Sequence, residues 1–118
     1  MKTVRQLLVE AKALIEHPVH WTQHVYARDR AGGSVQAHDE RAVCWCALGA
    51  LYHVGHNAMP VRAGVEVVGT ARDLLTLHSQ RKGLPIGASR VNDYLGHAEV
   101  MRMYDAAIAT AAAKEAKP

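Results

Sequence analysis

The ten residues Val43-Cys44-Trp45-Cys46-Ala47-Leu48-Gly49-Ala50-Leu51-Tyr52 run without a charge and almost without a polar side chain. Such a run must be buried on every side, so whatever it forms lies at the centre of the fold. Read as a helix, it spans Glu40 to about Val54, with Asp39 as N-cap and Gly55 and Asn57 as the stop. Gly49 and Ala50 are small, which lets another element approach that backbone closely.

The flanking segments supply what surrounds it. Val4, Leu7, Leu8, Ala11, Leu14 and Ile15 repeat at helical spacing and predict an amphipathic helix over Thr3–Glu16. Thr3 can cap its start, and Pro18 ends it at or before His17. From His20 to Ala37 the residues favour strand, with Asp29-Arg30-Ala31-Gly32-Gly33 as a turn, so a small β-hairpin is expected there. Met59-Pro60 opens a third helical segment, about Arg62–Gln80, weakened by Gly64 and Gly69. Ser79 to Pro85 reads as a loop, and Ile86–Leu95 as coil with a short turn. A last helix begins at Gly96, where Glu99 supplies half of a capping box, and carries the stripe Val100, Met103, Tyr104, Ala107, Ile108 and Ala111. The expected architecture is mostly α: one compact domain over 1–118, about four helices, and a small hairpin between the first and second.

A chain of 118 residues with 49% hydrophobic and 21% charged residues can close one core and is too short for a two-domain enzyme. Phe is absent, so that core is built from Leu, Val, Ala, Ile and Met. The formal charge of +3 is only mildly basic. Arg28 and Arg30 on the hairpin, and Arg81 and Lys82 further on, are too dispersed for a phosphate track, which disfavours nucleic acid as a partner. Gly32-Gly33 lacks the Lys and helix of a phosphate-binding loop. No apolar run approaches the ~20 residues that cross a bilayer. The N-terminal residues lack an apolar signal region, so the expected compartment is the cytoplasm, with both thiols reduced.

The chemistry-bearing residues are few. On a helix, Cys44 and Cys46 would point about 200° apart and could not grip one ion. His53 and His56 would lie too far along the axis to complete a zinc site, so no metal and no cofactor is expected. Free cysteines are most often small buried hydrophobes. The sharper alternative is a thiol enzyme, with Cys44 as nucleophile, His97 as general base, and Asn92 or Asp93 orienting the imidazole. Against it, Asn92-Asp93 reads equally well as a turn, and His97 as an exposed first-turn residue.

The segments Trp21-Thr22-Gln23, Tyr26-Ala27-Arg28-Asp29, Val43 to Leu51, Asn92-Asp93, His97-Ala98-Glu99-Val100 and Ala107-Ile108 occur in the order found in a family of small uncharacterised bacterial and bacteriophage proteins, which this chain resembles over nearly its whole length. The resemblance brings no activity. It implies that Cys44, Asn92, Asp93 and His97 belong to one design, and a mobile-element setting in which small proteins act on host proteins. The leading expectation is therefore a cytoplasmic accessory protein that binds another protein. Self-association into a homodimer through the Met-bearing last helix or the Gly/Ala face is a further expectation. The alternative is a hydrolase or transferase using Cys44 and His97.

Overall fold

The computed structural model describes residues 2–58 and 61–117. Met59-Pro60, the expected opening of the third helix, lies outside the described residues. Helix α1 is Val4–Ile15, and Thr3 caps it as expected. The Thr3 hydroxyl accepts from Gln6 N at 3.1 Å, and the Gln6 side chain accepts from Thr3 N at 2.9 Å, a reciprocal box that satisfies two helix-end donors. Its apolar stripe, Leu7, Leu8, Ala11 and Ile15, is fully buried. It packs on α2 (Ala47–Ala58), α3 (Val61–Leu77) and α5 (His97–Glu115). On α5 the stripe read from sequence is the one that faces inward, with Val100, Met103, Tyr104, Ala107 and Ala111 buried and Ile108 partly so.

The apolar run at the centre is not one helix. Cys44–Trp45 form a strand, β3, and the helix starts only at Ala47. Asp39 does not cap it. Its carboxylate instead closes a turn onto Arg41 N at 2.8 Å. β3 pairs antiparallel with β1 (Ala27–Arg28), which pairs on its other side with β2 (Ser34–Val35), giving the sheet order β2-β1-β3. The physical reason is that a strand buried between a neighbouring strand and the helices is as uniformly apolar as a buried helix, so its composition does not separate the two. At the other end, Gly55 does not stop α2, which continues to Ala58. A Cβ at Gly55 would collide with the Val68 side chain of α3, so this glycine serves contact between the helices.

The hairpin between the first two helices is present, but only Ala27–Arg28 and Ser34–Val35 pair. Its turn is set by Asp29, whose Oδ1 accepts from Ala31 N and Gly33 N at 3.0 and 2.8 Å. The segment read as a loop before Ile86 is a second hairpin, β4 (Gln80–Arg81) and β5 (Leu84–Pro85). Lys82 and Gly83, at φ 52° and 81°, form its two-residue turn. Ile86–Leu95 is likewise not coil. A short helix α4 (Ala88–Arg90) widens into a π turn, Val91–Leu95, and Gly96 at φ 92° redirects the chain into α5. Among the described residues there are thus five α-helices rather than four, the extra one being α4. The Gly96 cap makes no side-chain bond, and Glu99 pairs forward with Arg102 at 3.3 Å instead. Among the described residues, no helix is long and apolar enough to cross a membrane.

Candidate functional site

A cleft of about 720 Å³ opens beside the sheet, within the size range of small-ligand sites. One wall is the β2 edge, Ser34 to Gln36, and another is the segment His24-Val25-Tyr26 that leads into β1. The turn carrying Asp39 and Arg41 borders it, and the π turn contributes Asn92 and Asp93. Cys46 also lines it, at the start of α2.

Asn92 holds these walls together. It is 1% exposed, so each of its polar atoms must find a partner inside the protein. Its Oδ1 accepts from the Trp21 indole at 2.7 Å and from Ala47 N, the first residue of α2, at 2.9 Å. Its Nδ2 donates to Thr22 O and to Asp93 Oδ1, both at 3.0 Å. Gln23 donates to the carbonyls of Asn92 and Asp93 at 3.1 and 3.2 Å. A π turn carries one extra residue per turn, which here aims two adjacent side chains at the same region.

Asp93 Oδ1 also accepts from His24 N at 2.8 Å, while Oδ2 stands 3.7 Å from His24 Nδ1. His24 has φ 73°, a left-handed backbone that histidine adopts more readily than most side chains. Arg41 holds the Asp39 carboxyl well below the usual carboxylate range, down to about 2, through its side-chain and backbone bonds.

Cys46 takes the N-cap position of α2. Its carbonyl accepts from Ala50 N at 2.9 Å, and its sulfur accepts from Gly49 N at 3.2 Å, the role usually played by a serine or threonine hydroxyl. Burial pushes the thiol pKa up, while the Gly49 and Leu48 N–H groups act in the opposite direction. At neutral pH the group is a protonated thiol in contact with the cleft.

The residues singled out from sequence divide between two places. Asn92 and Asp93 are in the site. Cys44 is a half-buried strand residue opposite Arg28, and is not among the cleft's lining residues. His97 is committed elsewhere: its Nε2 bonds Ile15 O at 2.8 Å, and its ring meets Trp21 edge-on at 5.3 Å. Among the described residues, no three histidine, cysteine or acidic side chains are placed to hold a metal. His56 stacks on His38 at 4.2 Å, and His53 Nδ1 bonds Ala37 O at 2.7 Å. Sequence reasoning missed His24, which carries no motif. It also read Cys46 only as the partner of Cys44, because cysteine is not a customary N-cap residue and Gly49 does not complete a capping box.

A model of a family of unknown function, DUF6197, matches residues 1–110, which include every residue of the cleft. The chain belongs to this family. The resemblance to an uncharacterised family drawn from the sequence agrees with it at that level, and DUF6197 brings no assigned activity to the cleft. No curated protein and no solved structure matches the chain.

Proposed function

We propose that the protein is an accessory protein that binds another protein, taking an extended segment of its partner along the β2 edge and into the cleft. The observation that carries this reading is the unpaired edge of β2 at the cleft wall. Asp29 N donates to Gly33 O at 2.9 Å, so the bonded pairs of the hairpin alternate from there and reach Ala27↔Val35. Ser34, opposite Arg28, belongs to the non-bonded pair. Its N–H and C=O therefore point off the sheet, as they do in sheets that accept an added strand. Alternate side chains of such a strand would reach the cleft, where Asp93 and Arg41, each held by neighbouring groups, and the exposed Gln36 offer polar partners.

Ser34→Pro tests this, because it deletes the outward N–H without removing a bond inside the sheet. A photo-crosslinking residue at Gln36 should capture a host protein, and capture should fall at least about tenfold when Ser34→Pro is added, with the circular dichroism unchanged. Equal capture with and without Ser34→Pro would show that the edge is not the docking surface.

A further inference from the structure

We infer that the groove between α2 and α3 binds a small amphipathic carboxylate, a hydrocarbon chain of medium length ending in one anionic group. The groove holds about 360 Å³, at the small end of the range for ligand sites. Each helix gives it one face. Tyr52, Gly55 and His56 share a side of α2, and Val65, Val68, Gly69 and Arg72 follow one another at helical spacing on α3. None of these residues lines the cleft, so the inference goes beyond the protein-binding reading and does not depend on it.

Packing accounts for only part of this groove. Gly55 is explained by close approach, since a Cβ there would collide with the Val68 side chain. Gly69 is not explained in that way, because a Cβ there would meet nothing within 4 Å. A glycine inside a helix weakens it relative to alanine, and here no neighbour demands the missing side chain. What its absence supplies is depth, at a point on the groove one turn before Arg72. Val65, one turn earlier than Gly69, is 67% exposed and makes an apolar lip that the chain itself leaves in water.

The polar groups set the sign of the ligand and its direction. Among the described residues Arg72 makes no ion pair. Its side chain interacts with Tyr52, chiefly through a hydrogen bond that raises the Arg72 pKa, while Asp73 acts on it only through longer-range charge. The Tyr52 ring is held in turn by Tyr26, which meets it edge-on at 5.5 Å. Among the described residues lining the groove there is no carboxylate, so Arg72 is its one permanent charge and an anion is the complementary ligand. Arg72 and Tyr52 lie at the end away from the α2–α3 connection, and Gly64 and Val65 lie toward it. A carboxylate on Arg72 therefore directs its chain over Gly69 toward Val65 and Val68. One guanidinium above an apolar floor suits a single charge on a hydrocarbon chain, whereas a nucleotide or polyphosphate needs several convergent donors.

The test is an amide correlation NMR titration of the full chain with sodium octanoate below its micelle-forming concentration. Octylammonium and octanol serve as probes of equal length. Octanoate should shift the amides of Gly55, His56 and the stretch from Val65 to Arg72 and reach saturation. Octylammonium should bind at least about tenfold more weakly. Gly69→Leu fills the groove where no atom opposes the new side chain, so the melting temperature should hold or rise while octanoate binding weakens at least about tenfold. Arg72→Gln should bring octanoate down to the affinity of octanol and leave octanol unchanged. Octanoate shifts absent from the groove, equal affinity for octanoate and octylammonium, or undiminished binding in a folded Gly69→Leu chain would each overturn the inference. None of these results bears on whether a partner protein binds at Ser34.

Discussion

Replacing Asn92 by leucine is the most severe small change that the fold around the cleft offers. The two side chains share a branched skeleton, so no cavity opens; the bulkier methyls crowd partners held at hydrogen-bond distance, and that strain adds to the effect of the orphaned polar groups. Three are left: the Trp21 indole N–H, the Ala47 N–H and the Thr22 carbonyl. A buried polar group without its partner costs about 1–3 kcal/mol. Thr22 is only half-buried and can recruit water, so the sum comes to about 3–5 kcal/mol. That is a large share of the roughly 5–15 kcal/mol by which a domain is stable. For a chain of this size it corresponds to a fall in melting temperature on the order of 15 °C. Urea unfolding followed by tryptophan emission measures it, with Trp21 reporting its own lost partner. Asn92→Asp is the companion variant. It keeps the acceptor for Trp21 and Ala47 but places a second carboxylate against Asp93, within hydrogen-bond reach. Its own pKa in the folded state is thereby raised above the unfolded value, so its stability is retained at low pH and lost as pH rises through the folded pKa. A loss below about 1 kcal/mol for Asn92→Leu, or an Asn92→Asp penalty relative to the wild-type chain that is smaller at pH 7 than at pH 4, would refute the role given to Asn92.

Gly49→Ala should destabilise, although helix propensity alone favours alanine by about 1 kcal/mol, because the new Cβ would lie inside the contact distance of the Tyr26 carbonyl. That carbonyl accepts from Cys46 N at 3.1 Å, so moving it also weakens the start of α2. A lower urea midpoint with an unchanged slope is the expected outcome, and a higher midpoint would contradict the packing. Alkaline stability is set by two buried protons: desolvation raises the pKa of both the Cys46 thiol and the Tyr104 hydroxyl, which donates to Ala47 O at 2.6 Å. The folded state holds these protons while the unfolded chain releases them, so stability falls as pH rises, first above about 9 and more steeply above about 10, by about 1.4 kcal/mol per pH unit for each group. Cys46→Ser with Tyr104→Phe should flatten that slope in urea titrations at pH 8 to 11.

The sequence is easiest to read where one face of an element meets water. In α1 and α5 the polar side marks the period, so the stripes from Leu7 to Ile15 and from Val100 to Ala111 are visible without coordinates. The middle of the chain lacks that contrast. Trp45, Cys46 and Ala47 are all buried, although the first is in a strand, the second is a cap and the third opens a helix. The change of conformation at Cys46 is set by partners far away in sequence: Tyr26 O for its N–H and Asn92 Oδ1 for the next. No local signal contains them. The same reason hides the π turn, since Asn92 and Asp93 favour ordinary turns and are drawn into this one by bonds to Trp21, Thr22 and His24.

The site and the fold share atoms at this junction, and that shapes how each can be perturbed. Asn92 closes the N-terminus of α2 and fixes Asp93 through one amide, so substituting it disturbs both at once. Cys46 caps the helix with the sulfur that meets the cleft. Serine keeps the cap, because a hydroxyl caps as well as or better than a thiol, while changing the atom that meets the cleft. His24 is separable for a different reason. Its backbone N–H is held by Asp93, whereas its ring is largely exposed, so the side chain can change with little effect on the core. The substitutions that can distinguish a function of this cleft from the stability of the protein are therefore at Cys46 and His24, and those at Asn92 report chiefly on the fold.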